Sequence, residues 1–576
     1  MASLLYRALN AKAREVRRLA LAVSRKDGID RIEGTLTTHS LDEQPSFDAL
    51  SYAWGTDPAA GQVHINGIGM PVTRNLHEAL LTLCSSARGQ PDQMWIDALC
   101  IDQRNTKERS QQVSLMHQIY TGARCVHISL GPSWHTATTF LSFLAKLSDE
   151  RRAASDLESL DQDSRRTMVT DGLEIVMSSP WWSRLWVVQE GVLSDSAIAH
   201  LGEFNLPFRI LVGGLILAFT RLLSLGYDSL SNTSRRIYGH MYKFMSMERR
   251  THEYLYHTHR SSTSVEHDRV YGVLGLLPRD VQVKPDYDAS LEDVYENFAV
   301  TIMRNERSLD LLTLSGLHWL KGADLPSWVP NLKVPMQPFR SSTGNRIDTN
   351  NPLATAEEII LGLCARSTIL QHDAQASALH VRACILDTVA CTEQIETSVE
   401  EWQRLYMACG AGPDVPQEYL VGVLGKQWWI EYGQTLAQQA LGDRLSAQEM
   451  RHEPERQMAA LYSMQPGEHP DKFMALRDVL FANYCRHKFS SMVHSWSGHT
   501  FGNAEPGDVV AVLAGSAVSF VLRANPERGR NTYRLVGWAD YEASHARNLE
   551  AIRQAATTTS GSVDDLEAVF NWITLV

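Results

Sequence analysis

Cysteine is scarce in this chain of 576 residues. There are eight, and Cys84, Cys100, Cys125, Cys364, Cys384, Cys391, Cys409 and Cys485 contain no C-x-x-C pair. That excludes a disulfide scaffold and offers neither a zinc ribbon nor a redox dithiol, so a reducing compartment fits best. Positive charge is also short: 54 Lys and Arg stand against 66 Asp and Glu, a net charge of −12. Whole-molecule attraction to nucleic acid or to an anionic membrane is not expected. Long apolar runs are missing too. The longest, Ile210 to Thr220, stops at Arg221, well short of the ~20 residues a membrane span needs, and reads as a buried helix. No repeat of 20–50 residues is visible, which excludes a solenoid or propeller. The expectation is a cytoplasmic protein with no membrane span and no nucleic-acid partner.

Several catalytic signatures are absent as well. There is no G-x-x-x-x-G-K-[ST], no G-x-G-x-x-G after a strand and no G-x-S-x-G elbow, which removes support for a P-loop, dinucleotide-fold or hydrolase-elbow reading. His252-Glu253 is followed by His257, but helical metal sites need histidines four apart, on one face. His252, His257, His259 and His267 therefore read as a solvated helix end and loop, and no metal is expected.

What is present is ordinary globular composition, 44% hydrophobic and 21% charged, with a length that suggests roughly three or four folding units. Strand-like runs at Glu15 to Val23, Ile32 to Thr37, Ala49 to Ala53, Gln93 to Cys100 and Arg124 to Leu130 alternate with helical spacing over Asn75 to Cys84 and Glu108 to Tyr120. That alternation predicts an α/β unit with a mainly parallel sheet over residues 1–200. Residues 201–335 read as a helical extension, including Ser290 to Arg304. Residues 336–357 are polar and read as a linker or loop. Residues 358–576 read as a small C-terminal β-domain, with strands near 358–395 and 508–540 and a helical insertion at 396–490. Leu379 to Val389 and Asp508 to Gly537 are expected to share a sheet, directly or through neighbours.

Three dense segments stand out: Phe47-Asp-Ala-Leu-Ser-Tyr-Ala-Trp-Gly55, Trp95-Ile-Asp-Ala-Leu-Cys-Ile-Asp-Gln103 with Glu108-Arg-Ser-Gln-Gln-Val113 after it, and Pro180-Trp-Trp-Ser-Arg-Leu-Trp-Val-Val-Gln-Glu190. In order, spacing and identity they resemble the signature blocks of the fungal heterokaryon-incompatibility (HET) domain family, over about residues 6–195. Weaker resemblance continues through Asp268 to Leu276, Pro285-Asp-Tyr287, Leu325 to Pro330 and Pro506 to Gly537. The segment after Gly537 departs from the pattern. Seven basic side chains and one acid, Glu15, fall in the first 26 residues and suggest a presequence. The resemblance instead assigns Tyr6 to Val23 to the fold's opening strand.

HET domains are themselves similar to Toll/interleukin-receptor (TIR) domains, so the resemblance implies a TIR-like, flavodoxin-like sheet. It also implies that Glu190 matches the glutamate that is catalytic in TIR domains that cleave NAD. The residues are compatible with that chemistry. Breaking the nicotinamide–ribose bond develops an oxocarbenium-like sugar, which a nearby carboxylate, Glu190 or Asp97, can stabilise. Trp186 and Trp54 offer flat faces to a ring. In open parallel sheets, ligands bind beyond the carboxyl ends of strands, where Ser51, Tyr52, Trp54 and Gly55 fall on one strand and Asp97, Cys100, Asp102 and Gln103 on another. On one continuous helix Trp182, Trp186 and Glu190 would share a face.

Structural roles compete with each of these. Trp181, Trp182 and Trp186 can be core, Glu190 an ion-pair partner of Arg184, Asp97 a loop cap, Cys100 a buried thiol, and Glu108 and Arg109 helix-stabilising residues. The functional expectations are three: an NAD-cleaving effector of non-self recognition and programmed cell death, a stand-alone HET-fold enzyme of fungal specialised metabolism acting on another small molecule, and a non-enzymatic TIR-like signalling module. NAD is the expected nucleotide-like ligand, as substrate, and no cofactor is required. Self-association or an incompatibility partner protein is the expected protein contact.

Overall fold

The computed structural model describes residues 5–26, 29–55, 57, 61–84, 93–131, 140–142, 144, 171–202, 204–224, 251–258, 261–278, 281, 283–317, 324–333, 370–394, 487–492, 497–500, 503–516, 518–541, 552, 554 and 570–576. The expected linker at 336–357 lies outside them, as does the helical insertion except for its last four positions. Those four, 487–490, are strand rather than helix. The chain divides into two compact units. One comprises Met1–Leu223, Ser229–Arg279 and Val283–Leu291; the other comprises Ser224–Asp228, Asp280–Gln282 and Glu292–Val576.

The first unit is built on nine strands: β1 (Glu15–Lys26), β2 (Ile29–Ser40), β3 (Asp48–Tyr52), β4 (Gly61–Ile65), β5 (Ile68–Val72), β6 (Met94–Trp95), β7 (Val126–Ser129), β8 (Ala197–Leu201) and β9 (Phe204–Pro207). They lie in the order β5-β4-β2-β1-β6-β3-β7-β8-β9. The sheet is mixed, which corrects the expectation of a mainly parallel one. β2–β4, β3–β6, β3–β7 and β7–β8 are parallel, whereas β1–β2, β1–β6, β4–β5 and β8–β9 are antiparallel. For β1–β2, β4–β5 and β8–β9, which are consecutive in the chain, the physical reason is that strands joined by short connections pair antiparallel. Asn66-Gly67, with φ of 50° and 81°, supplies such a connection between β4 and β5.

At the centre, β6-β3-β7-β8 is wholly parallel, so the second, first, third and fourth of these strands in chain order stand side by side. Every residue of β3 is buried, as a strand covered on both faces requires. Helices α1 (Arg74–Cys84) and α2 (Thr106–Gly122) provide the crossovers. α1 buries Leu76, Ala79, Leu80 and Leu83, the i, i+3, i+4, i+7 stripe of an amphipathic helix. α2 is capped by Asn105, whose side chain accepts from Glu108 N. Two further helices follow, α3 (Val187–Val192) and α4 (Phe208–Ser224). Arg17 of β1 is buried and forms a two-bond ion pair with Glu108 of α2, at 2.6 and 2.9 Å. Glu108 therefore does more than favour the helix dipole: it joins β1 to α2.

The second unit contains α5 (Leu291–Glu306) from Glu292 onward, β10 (Leu370–Asp373), β11 (Ala378–Gln394), β12 (His487–Ser491), β13 (Ser497–Thr500), β14 (Val509–Leu513), β15 (Ser519–Ala524), β16 (Thr532–Tyr541) and β17 (Asn571–Leu575). The path β11-β12-β13-β16-β15-β14 returns to β11, closing a six-stranded antiparallel barrel with no free edge along that path. Leu379 to Val389 and Asp508 to Gly537 thus share a sheet directly, with Ala383 opposite Leu513 and Thr388 opposite Val509. Val389, Val510, Val521 and Val536 pack together in its core.

Candidate active site

The carboxyl end of β3 is where the sequence-predicted residues meet. Ser51 Oγ donates to Glu190 Oε2 on α3 and accepts from Trp181 Nε1 at 2.7 Å. Arg184 Nη1 lies 3.4 Å from Glu190 Oε2 and donates to the Tyr52 carbonyl. The Tyr52 hydroxyl is hydrogen-bonded to Asp97, whose Oδ2 accepts from Trp54 Nε1 at 2.8 Å. Ser51, Tyr52, Trp54, Asp97 and Glu190 are therefore one connected polar cluster, with Arg184 at its middle.

Exposure is uneven across the cluster. Ser51 and Glu190 are each 1% exposed and Asp97 is 9% exposed, whereas Trp54 is 38% exposed. Burial raises the Glu190 pKa above the ordinary carboxylate value, and Asp97 adds to that, against Arg184 and the Ser51 hydrogen bond. Burial likewise raises Asp97, opposed by Arg184 and by hydrogen bonds from Trp54, Ala98 and Tyr52. For Arg184, burial acts to lower the pKa, but Glu190 and Asp97 outweigh it and the guanidinium is held more firmly charged. One cation thus faces two carboxyl groups away from water, an arrangement that retains protons to higher pH than either acid alone would.

Local sequence explains the placement. The strand expected over Gln93 to Cys100 ends at Trp95, and Asp97–Cys100 is a helical turn. The Asp97 side chain accepts the N–H of Ala98 at 2.7 Å and so draws the chain out of the sheet. Gly55 has φ +76°, and a Cβ there would stand 2.9 Å from Asn75 Nδ2; only glycine turns the chain freely at this point.

Trp182, Trp186 and Glu190 do not share a helix face. Pro180–Ser183 is a short 3-10 turn, Arg184 is extended, and α3 begins at Val187. Leu185 N donates to Ser262 O at 3.0 Å, and Ser262 N to Ser183 O at 2.5 Å, so a tertiary bridge interrupts the helix. The Trp186 indole points elsewhere, donating to Asp268 Oδ2 at 3.1 Å. Asp268 also accepts from Tyr287 (2.6 Å) and Thr263 (3.2 Å), and the Arg109 guanidinium lies 3.9 Å over the Tyr287 ring. These downstream residues seat α3. Gln189 donates to Tyr271 O at 3.0 Å, and a Cβ on Gly275 would come within 2.4 Å of Gln189 Oε1.

The other predicted residues take supporting places. The Cys100 thiol is fully buried and pushed up to about 12 by that burial, an inert setting. Asp102 accepts from Arg104 N at 3.2 Å and donates its own N–H to Glu108. Gln103 Nε2 donates to Asp97 O at 2.9 Å. His252 is not solvated, being 4% exposed, whereas His267 is half-buried and bonds Ala289 O at 3.0 Å. Among the described residues no group of three or more His, Cys, Asp and Glu could hold a metal ion. Sequence reasoning under-weighted two residues. Arg184 reads there only as a neighbour in charge, and Trp181 only as core, although each holds a polar atom of the cluster.

Comparison with known proteins fits this geometry. Residues 47–190, which run from the start of β3 to Glu190, match the family described as "Heterokaryon incompatibility protein (HET)". Those residues of this chain are a HET domain. It is similar to the protein named "Heterokaryon incompatibility protein 6, OR allele" of Neurospora crassa, with 24% identity over 369 residues, covering 51% of this chain and 54% of that protein. The chain thus spans about half the length of the curated relative. No solved structure matches it. The HET match begins and ends on elements that carry cluster residues, and everything from Ser51 to Glu190 lies inside it.

Proposed function

We propose that the HET domain cleaves the nicotinamide–ribose bond of NAD in the cytoplasm, as an effector of non-self recognition and programmed cell death. The observation that carries this reading is the Ser51–Glu190–Arg184 contact at the carboxyl ends of parallel strands. The order of β6-β3-β7-β8 is that of the first four strands of the doubly wound 2-1-3-4-5 arrangement, whose ligand site lies at the switch between its first and third strands. Here those strands are β3 and β7, and α3 packs on both. That placement supports a TIR-like reading of the sheet. The relative's name favours incompatibility over specialised metabolism.

The residues divide the chemistry. Glu190, oriented by Ser51 and Arg184, would face the ribose as positive charge develops at its anomeric carbon. Asp97 would take the proton of the attacking water. Arg184 keeps the two acids from repelling each other. A second reading, a non-enzymatic signalling module, is favoured by the burial of Glu190 with its partners all supplied by the chain, the arrangement of a structural ion pair. Incubating the purified full chain with NAD and measuring free nicotinamide decides between them. Release above an enzyme-free control supports cleavage, and none at saturating NAD leaves the module.

A further inference from the structure

We infer that Asp268 is a positioning residue of this site, holding Glu190 in place through the Trp186 indole. The segment from Ser262 to Tyr271 is then part of the working unit, although the family match stops at Glu190. The coupling stands on geometry alone, and only its kinetic consequence rests on the reaction proposed above.

α3 cannot orient itself. It has six residues, Val187–Val192, too few to be stable alone in water. Trp186, at its N-cap, makes no side-chain cap. Three hydrogen bonds to chain beyond Glu190 anchor it and the turn before it. Leu185 N donates to Ser262 O at 3.0 Å, Gln189 Nε2 to Tyr271 O at 3.0 Å, and Trp186 Nε1 to Asp268 Oδ2 at 3.1 Å. The first two end on backbone carbonyls, which any residue supplies. Only the third needs a particular side chain at both ends.

That third bond reaches Glu190 in one step, because the Trp186 carbonyl accepts the Glu190 N–H at 3.2 Å. Asp268 is itself fixed. It is 6% exposed, and its other oxygen, Oδ1, accepts from the Tyr287 hydroxyl at 2.6 Å. Tyr287 N donates in turn to Ser110 Oγ of α2 at 3.2 Å, and the Tyr287 ring stands edge-on to Tyr271 with centroids 5.1 Å apart. One oxygen thus places the carboxyl group and the other holds Trp186. An indole N–H only donates, so the position asks for an acceptor rather than for a charge. Misplacing a reacting group by about 1 Å can cost roughly 100-fold in rate, which gives this anchor a catalytic consequence.

The test compares the wild-type full chain with Trp186→Phe, which deletes the indole donor, with Asp268→Ala, and with Asp268→Asn, whose amide oxygen can still accept from the indole. Hydrogen exchange read by mass spectrometry reports on α3 with no substrate present. Trp186→Phe and Asp268→Ala should speed exchange of the Glu190 amide about 10-fold, the scale of one lost hydrogen bond, with β3 and β7 unchanged. Asp268→Asn should restore most of the protection. Glu266→Gln, on an exposed side chain of the same segment, should match the wild type. Nicotinamide release gives the second readout. Trp186→Phe and Asp268→Ala should lower kcat about 10- to 100-fold with KM within about 2-fold. Adding Trp186→Phe to Glu190→Gln should cost no further rate, since both act at one group, whereas a merely structural role would add its own loss. Unchanged α3 exchange in both Trp186→Phe and Asp268→Ala, exchange that rises equally in β3, or an equal loss in Glu266→Gln overturns the inference. A wild type that releases no nicotinamide removes the hydrolytic reading alone, and α3 exchange still decides this one.

Discussion

Glu190 and Asp97 are carboxyl groups kept from water, and that determines how they respond to pH. Burial, the first cause for each, raises both above their unfolded values. The folded state therefore binds more protons than the unfolded one across that interval, and stability falls as pH rises through it. Their contribution is fully present below the unfolded values of about 4 and is lost as pH climbs through the raised folded values. We expect the Tm of the full chain to decline over this window and the decline to flatten in Glu190→Gln. Parallel Tm–pH curves for the two proteins would contradict the assignment. Asp48 of β3 behaves oppositely. Burial would raise it, but hydrogen bonds from His127 and Arg124 prevail and lower it, so its contribution is present above the unfolded value and lost on acidification. The two effects fall on different sides of the ordinary carboxylate value and are separable in one titration.

At the scale of elements, the join between β1 and α2 is a buried ion pair, Arg17 with Glu108, further held by Cys100 O at 2.9 Å and Arg7 O at 2.6 Å. Removing one partner strands the other charge. Arg17→Met alone or Glu108→Leu alone should each cost about 3–5 kcal/mol in urea unfolding, and the double variant should cost less than their sum. Additive losses would mean that the pair does not couple the two elements. Much of this architecture is legible in the sequence. β1, β2, β3, α1, α2 and β7 all appear in the hydrophobic spacing, because each buries a regular face. The failures are also informative. Periodicity extends the strand at Gln93 through Asp97, although a short polar side chain there can bond its neighbour and end the strand. Spacing alone puts Trp182, Trp186 and Glu190 on one helix, because a bridge from Ser262 cannot be read from local pattern. The β4–β5 hairpin is announced by Asn66-Gly67, a turn signal that alternation does not weigh.

At the scale of the molecule, the HET domain and the barrel-bearing unit differ in how much sequence reveals. In the first, the dense aromatic and acidic segments lead to Ser51, Asp97 and Glu190, since a buried polar cluster is built from distinctive residues. In the second, barrel closure depends on β12 and β13, whose sequences His-Lys-Phe-Ser-Ser and Ser-Gly-His-Thr lack apolar alternation, and on pairing that only the fold supplies. What sequence cannot give for the site is its connectivity: that Arg184 bridges Glu190 and the Tyr52 carbonyl, and that Trp186 serves Asp268 instead. That connectivity puts the central claim on one side chain. The most direct measurement is the rate of nicotinamide release from NAD by the full chain and by Glu190→Gln, at a temperature well below both measured Tm values. Removing one preorganised charge from the developing ribosyl cation should lower the rate about 100- to 1000-fold, or ~3–4 kcal/mol, with the variant still folded. A folded Glu190→Gln that releases nicotinamide as fast as the wild type would contradict the account.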